Sequence, residues 1–161
     1  MRIASLAVVV ALAGCAARTE PPAGAAAAPG DTRQLRAARP VEEVWATLPA
    51  AYARLNVPGA VIDSAPWTYG ARDLRTRGAL AGEWAAGFLD CGTVLGAPAA
   101  DVEPLRVSLV TTLHPQGDAT GVSISLTAET AAGGRSPRGC GSRGMLEARL
   151  QHLIGAAPVA D

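Results

Sequence analysis

The sequence predicts an α+β fold in which an antiparallel sheet packs, as a two-layer sandwich, against an N-terminal and a C-terminal helix. Three observations carry this. An apolar stripe at helical spacing fills residues 40 to 55, and a second runs from about 143 to 154. Between them, two alternating segments, Leu105 to Leu113 and Thr120 to Ala128, flank a turn-forming pentapeptide. Helix, strands and helix in that order favour helices gathered on one sheet face. The 161 residues suffice for one ordinary domain. Hydrophobic residues at 49% and charged residues at 17% mark a chain that folds. Much of the apolar share is alanine and only 4% is aromatic, which predicts a small core. The basic residues are all arginine, 14 of them against 14 acids, so net charge gives no pull towards nucleic acid.

In the first helix Val41, Val44, Trp45, Leu48, Tyr52 and Leu55 share one face. Pro40 suits the first helical position, and Glu42 and Glu43 complement the positive end of the helix dipole. Pro49 removes an internal hydrogen bond and predicts a kink or a split. Asn56-Val57-Pro58-Gly59 ends the helix. Short strands are expected over Ala60 to Asp63, Trp67 to Gly70, Arg72 to Arg77 and Phe88 to Cys91. In the main hairpin Leu105, Val107, Leu109, Thr111 and Leu113 share a face, as do Val122, Ile124, Leu126 and Ala128. His114-Pro115-Gln116-Gly117-Asp118 supplies the turn. Ala131 to Gly141 reads as a Gly/Arg/Pro loop. The last helix follows with Ser142 as its cap and Leu146, Leu150, Leu153 and Ile154 as its buried stripe.

The amino terminus is organised differently. Met1-Arg2 is a short basic region, and Ile3 to Ala13 is an apolar run interrupted only by Ser5. Eleven residues span about 16 Å as a helix, roughly half a bilayer core, so the run reads as a secretory signal peptide. It ends in Leu12-Ala13-Gly14-Cys15, which resembles the lipobox of bacterial lipoproteins. The resemblance implies cleavage before Cys15, a diacylglycerol on its sulfur, and acylation of the new amino terminus, which together hold the chain firmly on a membrane. Ala16, where an inner-membrane retention signal would place Asp, implies the outer membrane, facing the periplasm. Residues 16–31 are dominated by Ala, Pro and Gly and read as a flexible tether reaching about 22 Å. Arg33, Arg36 and Arg39 then read as a solvated run at the edge of the domain. The expected organisation is signal peptide 1–14, lipidated tether 15–31 and one α+β domain over 32–157.

In topology the order of elements over 32 to 155 is similar to the helix-grip arrangement, and to the domains of the accessory lipoprotein of the outer-membrane β-barrel assembly machine. That resemblance implies an envelope-assembly or interaction module with envelope proteins as partners.

An exported protein meets an oxidising compartment, so Cys91 and Cys140 are expected to form a disulfide. A redox pair would call for Cys-x-x-Cys, and with His114 and His152 the two cysteines lack any zinc-site spacing. No cofactor or metal is implied. Gly139-Cys140-Gly141-Ser142-Arg143-Gly144 matches G-x-G-x-x-G, but behind a loop and too near the chain's end for a dinucleotide unit. Arg135, Arg138 and Arg143 beside a helix start form a candidate anion contact, against the plainer reading of a solvated basic loop.

Catalysis finds little support. Cys140 stands where a G-x-S-x-G nucleophile elbow needs its first glycine, and Asp63, Asp73, Glu83 and Asp90 are scattered. Trp45 belongs to the helix stripe, and Trp67 follows Pro66 at a strand start. Trp84 sits in the loop Gly78 to Gly87, either as a plug over the core or as an exposed partner contact. The expectation is a non-catalytic interaction or assembly module. Its rival is a carrier of small ligands or lipids, using a groove between sheet and helix.

Overall fold

The computed structural model describes residues 32–131 and 136–158. The signal segment, Cys15, the 16–31 tether and Arg135 lie outside them. In chain order the elements are β1 (Thr32–Ala37), α1 (Val41–Arg54), β2 (Ala60–Ser64), β3 (Trp67–Arg77), β4 (Ala79–Leu80) and β5 (Glu83–Trp84). A single 3-10 turn (Ala85–Gly87) leads to β6 (Leu89–Asp90), β7 (Thr93–Val94), β8 (Ala97–Pro98) and α2 (Ala99–Val102). The remainder is β9 (Pro104–Gln116), β10 (Ala119–Thr130), β11 (Arg138–Ser142), α3 (Met145–Ile154) and β12 (Ala157–Pro158).

The main sheet runs β12-β1-β10-β9-β3-β2, and every neighbouring pair is antiparallel. Its centre is the β9–β10 hairpin, paired from Leu105↔Thr130 to Gln116↔Ala119 around a turn at Gly117-Asp118. The alternation read from the sequence holds here. Leu105, Val107, Leu109, Thr111 and Leu113 are all buried, opposite Val122, Ile124, Leu126 and Ala128. α1 covers this face with Val41, Val44, Leu48, Ala51 and Tyr52, and α3 adds Leu146, Leu150 and Ile154. Leu153 is only half-buried.

Several expectations are corrected. α1 is one continuous helix from Val41 to Arg54 with Pro49 inside it. The proline lies on the exposed side and forfeits one amide bond, while the buried stripe on the other side holds the two halves together. The two strands expected over 67–70 and 72–77 are one strand, β3, whose register slips between Ala71 and Leu74. Asp73 takes a positive φ of 52° at this bulge. Arg33 and Arg36 are exposed, but they sit on a strand that was not expected: β1 turns Leu35 and Ala37 into the core and pairs with β10.

The loop expected over 131–141 contains most of β11. β10 offers one long edge, and β1 and β11 share it: β1 pairs with positions 120–125, and β11 pairs Cys140 with Ala128 and Arg138 with Thr130. β11 also pairs Gly141 with Asp90 on β6, and the same register continued by one position sets Cys140 opposite Cys91. The two cysteines are joined as a disulfide across adjacent strands, with Cα atoms 4.3 Å apart.

α3 begins later than expected. Its N-cap is Gly144 at φ 72°, and Ser142 works from two residues further back. Ser142 Oγ accepts the Gly144 N–H at 2.9 Å and donates to Glu147 Oε1 at 2.5 Å. Glu147, the third residue of the helix, is thereby placed where the helix dipole favours a carboxylate. Its Oε2 is buried with no partner among the described residues.

Candidate interaction surface

The excursion between β3 and β9 carries two tight hairpins, β4–β5 and β7–β8. Each turns on two residues of positive φ: Ala81 (55°) with Gly82 (80°), and Leu95 (51°) with Gly96 (82°). Paired left-handed residues suit two-residue hairpins because their twist matches that of the strands they join. Each hairpin presents a large apolar side chain to solvent. Trp84 is 71% exposed, and Leu95, at the tip of its turn, is fully exposed. A bulky residue in the left-handed region, wholly in water, sits against both backbone preference and the hydrophobic effect.

The mount beneath Trp84 is tied down by several contacts. Leu80 is buried under the β4–β5 hairpin. The Ala85 N–H donates to the Gly78 carbonyl at 3.1 Å, and the Ala86 N–H donates to Asp101 Oδ1 at 2.8 Å. Both oxygens of Glu83 accept from Arg149 on α3, the second at 3.2 Å, and the Arg149 guanidinium lies 5.1 Å over the Phe88 ring. Hydrogen bonding from Arg149 holds the Glu83 carboxyl below its ordinary range and raises Arg149 in turn. The disulfide then ties the excursion to β11 through Cys91. Beside Trp84 is an open cleft of about 700 Å³, walled by Arg77, Gly78, Gly82, Glu83 and Gly87.

The other tryptophans serve packing. Trp45 and Trp67 are half-buried and meet edge to face at 5.4 Å, and Trp45 also meets Tyr69. Tyr52 fills the interface of helix and sheet where a ligand groove would lie. Its hydroxyl bonds Thr111 Oγ1 at 3.0 Å, and its ring meets Tyr69 at 5.1 Å. Burial drives the Tyr52 phenol well above its ordinary value, with Thr111 opposing.

The remaining sequence candidates separate in space. Arg138 pairs with the buried Glu103 at 3.1 Å and Arg143 with Asp90 at 3.5 Å, at opposite ends of β11. Each described arginine of the expected anion contact is thus already matched by a carboxylate. Gly139 and Gly141 belong to a strand, so the glycine motif crosses from β11 into the cap of α3. Asp63 accepts the Ala65 N–H, Asp73 sits at the β3 bulge, and Glu83 and Asp90 hold different arginines. His152 is exposed, and His114, near the end of β9, lies 3.3 Å from Ser123 Oγ. Among the described residues no group of His, Cys, Asp and Glu is disposed to hold a metal ion.

Sequence reasoning missed Leu95 altogether. Its signal was Leu95-Gly96 directly after the β-prone pair Thr93-Val94, a two-residue turn like Ala81-Gly82. No family model matches the chain, and no curated protein matches it.

Proposed function

We propose that the protein is an outer-membrane lipoprotein whose α+β domain, helix-grip-like in layout, is a non-catalytic interaction module facing the periplasm. Lipidation at Cys15 supplies the membrane partner, and envelope proteins are the partners of the folded domain. The observation that carries the reading is the pair of tight hairpins that present Trp84 and Leu95 to water. An aromatic on a hairpin whose backbone is tied down before binding gives up little backbone freedom on contact, which suits it as an anchor at an interface. The lipobox supports the anchoring, and the cysteine pair suits an oxidising compartment.

Affinity purification of the tagged protein from gently solubilised envelopes tests this, with Cys15→Ala and Trp84→Ala compared in parallel. Stoichiometric recovery of a particular envelope protein, lost in Trp84→Ala while the variant remains folded, supports the reading. Equal recovery with Trp84→Ala, or recovery of the bait alone, overturns it. Fractionation of Cys15→Ala tests the anchor separately: the variant is expected to leave the membrane fraction.

A further inference from the structure

We infer that the Trp84 surface recognises an extended acidic segment of its partner protein, with carboxylates at alternate positions followed by an apolar residue. The inference rests on the interaction-module reading and adds the chemistry of the partner. Its basis is a row of charge on the sheet face away from the helices. In β3 the pattern from Arg72 to Arg77 sets Arg75 and Arg77 outward, with Leu74 and Thr76 half-buried between and beside them. Arg75 stands directly opposite Arg106 in the β3–β9 register. Like charges at directly opposed positions destabilise a sheet unless something answers them. Arg106 has Glu129 on its far side at 3.4 Å, whereas Arg75 makes no ion pair among the described residues.

Arg77 links this row to the cleft. Its Nε donates to the Val102 carbonyl at 3.3 Å, which fixes the side chain and leaves both terminal nitrogens on the surface. It also lines the cleft beside Trp84. Arg75 and Arg77 are separated by two strand positions, about 6.6 Å. Alternate side chains of an extended peptide repeat at the same spacing, so two carboxylates of one segment meet the two guanidiniums together. Continuing along the segment, the next apolar side chain reaches Trp84. A lipid surface is a poorer fit. Headgroups carry no fixed spacing to match the two guanidiniums, and their plane supplies no apolar side chain to follow the charges to Trp84.

The test uses a fluorescein-labelled peptide of the pattern Glu-Thr-Glu-Thr-Leu, its lysine counterpart, and phosphatidylglycerol vesicles, each titrated with the folded protein. The acidic peptide is expected to bind and to weaken with added salt. It should weaken about tenfold or more in Arg75→Glu with Arg77→Glu, and again in Trp84→Ala. The lysine peptide should not bind. Equal binding of both peptides, binding unchanged by the arginine reversals, or retention on vesicles without peptide binding would each overturn the inference. If the acidic peptide fails while Trp84-dependent capture of an envelope protein persists, the charge chemistry is refuted and the interaction module stands.

Discussion

Replacing both Cys91 and Cys140 with alanine should cost about 4 kcal/mol of folding free energy. The disulfide closes a sequence separation of 49 residues, and the loss of loop entropy from the unfolded chain gives that figure. The loop contains α2 and the whole β9–β10 hairpin, so the cross-link restrains the centre of the sheet and not a peripheral flap. Against a total of roughly 5–15 kcal/mol for a domain, this is a large share. Both cysteines are buried, at 6% and 2% exposure, so alanine also removes a little packing. Reduction of the unmodified protein separates the two effects, because the sulfurs stay in place while the bond goes. Urea unfolding followed by circular dichroism is the assay. With a slope of about 1–3 kcal/mol per molar urea, the midpoint should fall by about 2 M in both the variant and the reduced protein. A loss below about 1 kcal/mol in both would refute the chain-entropy reasoning. It would mean that β11 is held by its pairing to β10 and β6 alone.

Three further outcomes follow from particular contacts. Gly70→Ala places a Cβ 2.2 Å from the Leu109 carbonyl oxygen, in the middle of the β3–β9 ladder, so a loss of about 2–3 kcal/mol should appear in the same urea assay. Tyr52→Phe removes the buried hydroxyl bonded to Thr111, and calorimetry should record about 1–2 kcal/mol lost, a drop of several degrees in Tm. The Glu83 carboxyl sits below its ordinary range because Arg149 bonds it, so its contribution is present above the usual carboxylate pKa and lost as pH falls through the lowered value. Tryptophan emission in an acid titration should therefore change only as pH falls below the ordinary carboxylate range, where the β4–β5 hairpin loosens, and Glu83→Gln should remove that step.

The central hairpin was legible in the sequence because every second residue from Leu105 to Leu113 is a core residue, and burial on one face enforces that period. α1 was legible through Val41, Val44, Leu48 and Tyr52, and its continuity through Pro49 was not, since packing and not local hydrogen bonding decides it. β1 escaped notice because Thr32–Ala37 offers only Leu35 and Ala37 to the core among polar and basic neighbours. Its strand character comes from the waiting edge of β10. β11 contains Gly139 and Gly141, poor strand formers, and is imposed by the partners on either side and by the disulfide. The exposure of Trp84 depends on a hairpin of two paired positions per strand, too short for any periodicity to register. The Arg75–Arg106 opposition is invisible in sequence, because it exists only once the β3–β9 register is known.

The division of the β10 edge between β1 and β11 sets an order of events during synthesis and folding. The first strand of the domain has no hydrogen-bonding partner until the tenth has emerged, and the eleventh must follow before Cys140 can find Cys91. Non-local pairing of this kind is slow to close. Until it closes, Leu35 and Ala37 belong to an open strand with its amides unanswered, a template for wrong partners. Arg33 and Arg36 lie within that strand and give it positive charge, so the segment that waits longest is also the one whose copies repel one another.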